Sequence, residues 1–87
     1  MDFYYRDNLD ISLTNIFTNF TFGFLASKLS IVNRNHSGSG LLIISFDGVN
    51  IHGRLSLGET FNVEGRSMSN VFLKYQNATV NYQLFSY

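Results

Sequence analysis

The side chains of this sequence that could do chemistry concentrate in one stretch, SFDGVNIHGRLSLGET, from Ser45 to Thr60. Asp47 and Glu59 would be the paired carboxylates of an acid/base site, and His52 between them its base or metal ligand. Such chemistry needs the groups held close together in a water-poor pocket. The local pattern argues against that arrangement. Val49 and Ile51 alternate with Asn50, His52 and Arg54, which puts His52 on the polar face of a strand. Asp47-Gly48 is a tight-hairpin signal, because glycine accepts the positive φ of a type I′ turn. Leu57-Gly58-Glu59 reads as the next turn. The stretch is therefore expected to be a hairpin and a turn.

Other candidate constellations are weaker. His36 sits in the polar run NRNHSGSG, and two histidines sixteen residues apart without any cysteine match no zinc spacing. Ser37 to Gly40, SGSG, lacks the lysine and following helix of a phosphate-cradling loop. No G-x-S-x-G elbow is present. The reading is of a non-enzymatic protein with no catalytic residues, no cofactor and no metal.

The elements that would carry any site are short. Eighty-seven residues make one domain. A chain of that size buries only roughly 60–65% of the surface its unfolded form exposes. With no cysteine there are no disulfides to add support, so oligomerisation is the remaining common route. Six basic and six acidic residues cancel, and the basic ones are scattered singly, with no stripe for nucleic acid. The longest apolar run, Leu41 to Ile44, is far short of a membrane span, and the opening MDFYYRDNLD does not read as a secretory signal. The N-x-S/T triplets at Asn19, Asn35 and Asn77 are accordingly read as accidents of composition.

Hydrophobic residues recur with period two from Leu9 to Leu84, and no sustained helical stripe occurs. Glycine and Asn/Asp turns interrupt the pattern at Asp47-Gly48, Gly58, Glu64-Gly65 and Asn77-Ala78. This predicts an all-β fold: a small antiparallel β-sandwich, jelly-roll-like, of seven or eight short strands. Its expected core is Phe22, Ile31, Ile43, Ile51, Leu55, Val71, Leu73, Val80 and Tyr82.

Residues 1–8 are read as an N-terminal arm and 9–87 as the sandwich domain. Phe3, Tyr4 and Tyr5 are consecutive, so they cannot all face one core. They are expected to anchor the arm on a neighbouring copy or another protein. The alternative weighed is that the arm folds back as an edge strand of its own sheet. Phe72, Phe85 and Tyr87 complete the candidate protein–protein interface, as aromatics on outward phases of late strands. A rival use for these outward rings is stacking on a sugar, as in a carbohydrate-binding module at a host-facing surface.

From about Phe20 onward the chain resembles small β-sandwich structural proteins of tailed bacteriophages. The run carrying the resemblance is LSIVNRNHSGSGLLIISFDGVNIHGRLSLGETFNVEGRSMSNVFLKYQNATVNYQLFSY. Its layout is a strand ending in Asn, a Ser/Gly loop, an apolar strand into SFDG, a polar-faced strand, an LGET turn, a VFLKY strand and a final aromatic strand. The segment before Phe20 departs from that layout. The resemblance implies a virion component, located in the particle as a head decoration or auxiliary capsid protein, a head fibre base, or a neck or tail protein. It implies a homo-oligomer that contacts other virion proteins such as the major capsid protein, and it brings no catalytic residues.

Overall fold

A computed structural model describes residues 2–87; Met1 lies outside the described residues. The described chain is all β, with six strands: β1 (Tyr4–Asp7), β2 (Thr18–Asn33), β3 (Leu41–Ser45), β4 (Gly53–Leu55), β5 (Thr60–Gln76) and β6 (Tyr82–Ser86). They form one antiparallel sheet in the order β1-β6-β2-β5-β3-β4.

The count is six, not the expected seven or eight, because apolar runs join into two long strands, one of them across the Glu64-Gly65 turn signal, and alternation misled in a third place. Phe20 to Phe24 and Leu29 to Ile31 belong to a single strand of 16 residues. Phe61 to Val63 and Val71 to Tyr75 belong to one of 17, with Glu64-Gly65 inside it and not at a turn. Leu9 to Leu13 alternate but form no strand. The Leu9 amide donates to Asp7 Oδ1 at 2.9 Å, and the Asp10 and Ile11 amides to the Asp7 carbonyl at 3.1 Å, so the chain turns as soon as β1 ends.

The long pair β2–β5 explains the shape. Thr21 pairs with Asn70, Ala26 with Met68 and Lys28 with Glu64. Between the first two pairs β2 has five steps against two on β5; between the second and third it has two against four. The surplus sits first on one strand and then on the other. Gly23 (φ 83°) and Gly65 (φ 83°) lie in these two irregular stretches, in a backbone region that a side chain resists. Bulges bend strands, and two on facing strands bend the pair together.

Each limb of the bend has its own neighbours. β6 pairs with residues 29–33 of β2 and carries β1; β3 pairs with residues 72–76 of β5 and carries β4. Side chains from the two limbs meet inside. The Phe20 and Tyr82 rings lie 5.9 Å apart, Tyr4 and Phe22 5.2 Å, and Phe46 and Phe61 6.3 Å. Leu29, Ile31, Leu42, Ile44, Val71, Leu73 and Leu84 fill the space between. Gly53 faces the Phe61 ring so closely that a Cβ there would approach it to 2.9 Å, so a side chain at this point would force the ring to shift before β4 could lie down.

Two buried polar groups tie loops to this core. The Tyr82 hydroxyl donates to the Ile11 carbonyl at 2.6 Å, holding the irregular segment between β1 and β2 over the core. Asn33, fully buried at the end of β2, donates through Nδ2 to the carbonyls of Leu55 (2.9 Å) and Gly40 (3.3 Å) and accepts at Oδ1 from the Asn35 amide (3.0 Å).

Of the expected core, Phe22, Ile31, Ile43, Leu55, Val71, Leu73, Val80 and Tyr82 are buried. Ile51 is not, at 40% exposed. It lies in the connection between Ser45 and Gly53, before β4 starts, so no sheet face receives it. Ile43 is buried outside the main cluster, on the opposite face, flanked in register by Lys74 and Arg54. The two adjacent isoleucines should therefore respond differently to truncation. Ile44→Ala, in the close-packed interior, should cost about 2–5 kcal/mol. Ile43→Ala should fall at the low end of that range or below, because the long neighbouring side chains can follow into the space. Urea unfolding of both variants measures the order. Ser86→Ala should be neutral or stabilising in the same assay, since its buried hydroxyl has no hydrogen-bond partner.

Candidate functional site

The Ser45–Thr60 stretch contains a hairpin connection whose polar groups bond to their own turns. Asp47 does not have the positive φ of a type I′ turn; only Gly48 does, at 80°. The connection is instead organised by the Asp47 carboxylate. Its Oδ1 accepts from the Val49 and Asn50 amides, each at 2.8 Å, and from the Ser45 hydroxyl at 3.0 Å. Its Oδ2 accepts from Asn50 Nδ2 at 2.8 Å. These bonds, the Val49 amide first, hold the carboxyl well below its ordinary pKa. Glu59 is held in the same manner one turn later. It accepts from the Ser56 hydroxyl (2.6 Å) and amide (2.7 Å), and the hydroxyl bond above all lowers its pKa.

His52 is exposed, with Nδ1 accepting from the Phe46 amide at 3.0 Å and its ring 5.4 Å from that of Phe46. His36 is exposed in the Ser/Gly loop. Among the described residues no three His, Asp or Glu side chains are grouped to hold a metal ion.

The six aromatic candidates divide by strand phase. Tyr5 is opposite Phe85 across β1–β6, and Phe85 is opposite Ser30 across β6–β2. These residues share the sheet face turned away from the core. On that face the Tyr5 and Phe85 rings lie 4.8 Å apart and Phe3 meets Phe85 edge-on at 5.7 Å. Phe3 is 56% exposed. Tyr87, two residues beyond Phe85, is also exposed, with Lys28 Nζ 5.7 Å from its ring. The structure thus assembles Phe3, Tyr5 and Phe85, with Tyr87 further along the strand. Tyr4 has the opposite phase and packs on Phe22. Phe72 lies on the other limb, where it meets Phe17 at 6.4 Å and covers Gly48.

A polar strip that the sequence reading missed borders the aromatic group. The Tyr5 hydroxyl donates to Asp7 Oδ2 at 2.8 Å and accepts from Gln83 Nε2 at 3.1 Å, while Arg34 donates to Gln83 Oε1 at 3.3 Å. The Tyr5 bond leads the effects that lower the Asp7 pKa. Period two gives a signal for the strip once β1 is a strand, since Tyr5 and Asp7 then share a face. Assigning residues 1–8 to an arm removed that phase.

The arm is the edge strand weighed as the alternative: β1 pairs with β6 from Tyr4–Ser86 to Asp7–Gln83. It is an open edge, and the other rim of the sheet is the three-residue β4. The hydrogen bonds of Tyr87 show which way the β1 backbone faces. Its amide and carbonyl both bond to Lys28 of β2. Antiparallel alternation then turns Ser86 and Leu84 toward β1, so that Tyr4 and Arg6 bond to β6 while Phe3 and Tyr5 direct their backbone groups outward.

Comparison of the chain with family models, with curated proteins and with solved structures found no match.

The Asp47 cage has a testable pH signature. Because its folded pKa is depressed, the carboxylate stabilises the fold above the ordinary aspartate value of about 4, and that contribution is lost as pH falls below it. Asp47→Asn replaces one acceptor with an amide that faces the Asn50 amide. Its urea midpoint should lie below that of the parent at pH 7, and the gap should narrow on acidification from about pH 4 downward. Matched urea titrations across that range check both statements.

Proposed function

We propose that this protein is a non-enzymatic structural component of a tailed-bacteriophage virion, acting as a head decoration, auxiliary capsid, neck or tail protein through protein–protein contacts. The observation that carries the contact mode is the grouping of Phe3, Tyr5 and Phe85 on an outward sheet face beside an open strand edge. Rigid aromatic rings with a polar border are the composition of interface hot spots. The virion assignment draws its support from the resemblance of the run after Phe20 to small phage sandwich proteins. We also read the bent sheet as a small jelly-roll-like sandwich, on the ring contacts between its two limbs.

Quantitative mass spectrometry of purified phage particles tests the assignment. The protein should be present at a fixed copy number per capsid. A Phe3→Ser, Phe85→Thr variant should keep its β spectrum in circular dichroism and enter particles about tenfold less, as expected when interface anchors are removed. Absence from particles would contradict the virion assignment. Glycan-array binding abolished by Phe85 or Tyr87 substitution would point instead to a carbohydrate-binding module.

A further inference from the structure

We infer that the free edge of β1 pairs with β1 of a second copy, in antiparallel register about a two-fold axis through Tyr4, so that Phe3 faces the partner's Tyr5 and Asp2 faces the partner's Arg6. The inference rests on the proposed contact function for its purpose, and on the edge itself for its geometry.

Phe3 and Tyr5 point their backbone groups away from β6, which is what a further strand needs. The Tyr5 carbonyl accepts from the guanidinium of Arg6 at 2.7 Å, a contact made by a flexible side chain and readily exchanged. At Asp7 the outward groups are already used: the amide donates to Asp10 Oδ2 at 3.1 Å and the carbonyl accepts from Asp10 and Ile11. The edge available for pairing is therefore short and closes at Asp7.

That limit selects the register. Outward groups must face outward groups, so the odd-numbered residues pair with one another. Centring on Tyr5 would place Phe3 against Asp7, whose backbone is occupied. Centring on Phe3 would leave Arg6 beyond the pairing and set Asp2 against Tyr4. Centring on Tyr4 brings both Phe3–Tyr5 pairs into hydrogen-bonded positions. It also places Asp2 and Arg6 opposite each other at non-hydrogen-bonded positions, where side chains approach most closely.

A two-fold interface must be complementary to itself, and the segment DFYYRD meets that condition around its first tyrosine. Charges of opposite sign meet twice, and aromatics meet as two Phe3–Tyr5 pairs and one Tyr4–Tyr4 pair on the axis. Arg6, which lies over the Tyr4 ring at 4.5 Å, sits on the same face as that charge pair. On the other face the pairing joins two Phe3–Tyr5–Phe85 groups into one aromatic surface across the axis, which a further partner would meet as a single platform. A formal net charge of zero leaves little repulsion between copies.

Sedimentation velocity of the full chain, from about 10 µM to 1 mM, covers the range expected for so small an interface. The expected result is a concentration-dependent monomer–dimer equilibrium. Tyr5→Pro removes an amide that the chain's own ladder does not use, so it should weaken the dimer at least about tenfold while the β spectrum persists. Asp2→Arg should weaken it by a similar factor, and the double variant Asp2→Arg, Arg6→Asp should restore it, which no folding defect would do. A monomer throughout, or a dimer indifferent to these changes, would overturn the inference. Particle incorporation of a strictly monomeric chain would sink the two-fold and leave the virion reading standing. A β1-dependent dimer absent from particles would do the reverse.

Discussion

The structure depends on the bending of one strand pair. β2 and β5 together hold 33 of the residues, and no other strand exceeds five. A straight, flat sheet of this outline would leave one apolar face in water, which a chain this short cannot tolerate. The irregular pairing around Gly23, Ala26, Gly65 and Met68 lets the same two strands supply both sides of the core. Everything else attaches to one limb or the other. Ala26 and Met68, both buried at the bend, show that the fold is packed there and not merely hinged.

Much of this was legible in residue order. Period two specified the strand class and most of the inward set, Ile43 and Ile51 excepted, and the Asn77 reversal before β6 was read correctly, with its φ of 74°. What misled were local signals with two physical meanings. A glycine in an alternating run denotes a turn or a bulge, and nothing within a few residues of Gly65 distinguishes them. The distinction rests on whether a partner strand bulges opposite, which is a long-range fact. Leu9, Ile11 and Leu13 alternate as a strand would, yet Asp7 captures the backbone first. Asn33 was available to be noticed: it shares the inward phase of Leu29 and Ile31, so period two predicts a buried polar group there.

For the candidate site, residue type singled out the aromatics, and the strand phase that sorts them between faces was the missing term. Consecutive rings at Phe3, Tyr4 and Tyr5 must divide between faces, and pairing with β6 decides which. Tyr4 goes inward, while Phe3 and Tyr5 join Phe85. The acidic and histidine side chains of Ser45–Thr60 show the converse. Residue types suited to catalysis serve here as acceptors for backbone amides, a use that spacing alone does not separate from chemistry.

On the proposed function, the outward face and open edge of β1 are where this protein meets its partners. Residue-resolved amide hydrogen exchange tests it most directly, because Phe3 and Tyr5 donate outward while Tyr4 and Arg6 donate to β6. In dilute solution the amides of Tyr4 and Arg6 should be protected and those of Phe3 and Tyr5 should exchange freely. At high concentration, or in an assembly, Phe3 and Tyr5 should become protected as well. Free exchange of Phe3 and Tyr5 under every condition, in a chain demonstrably bound to its partner, would contradict the account.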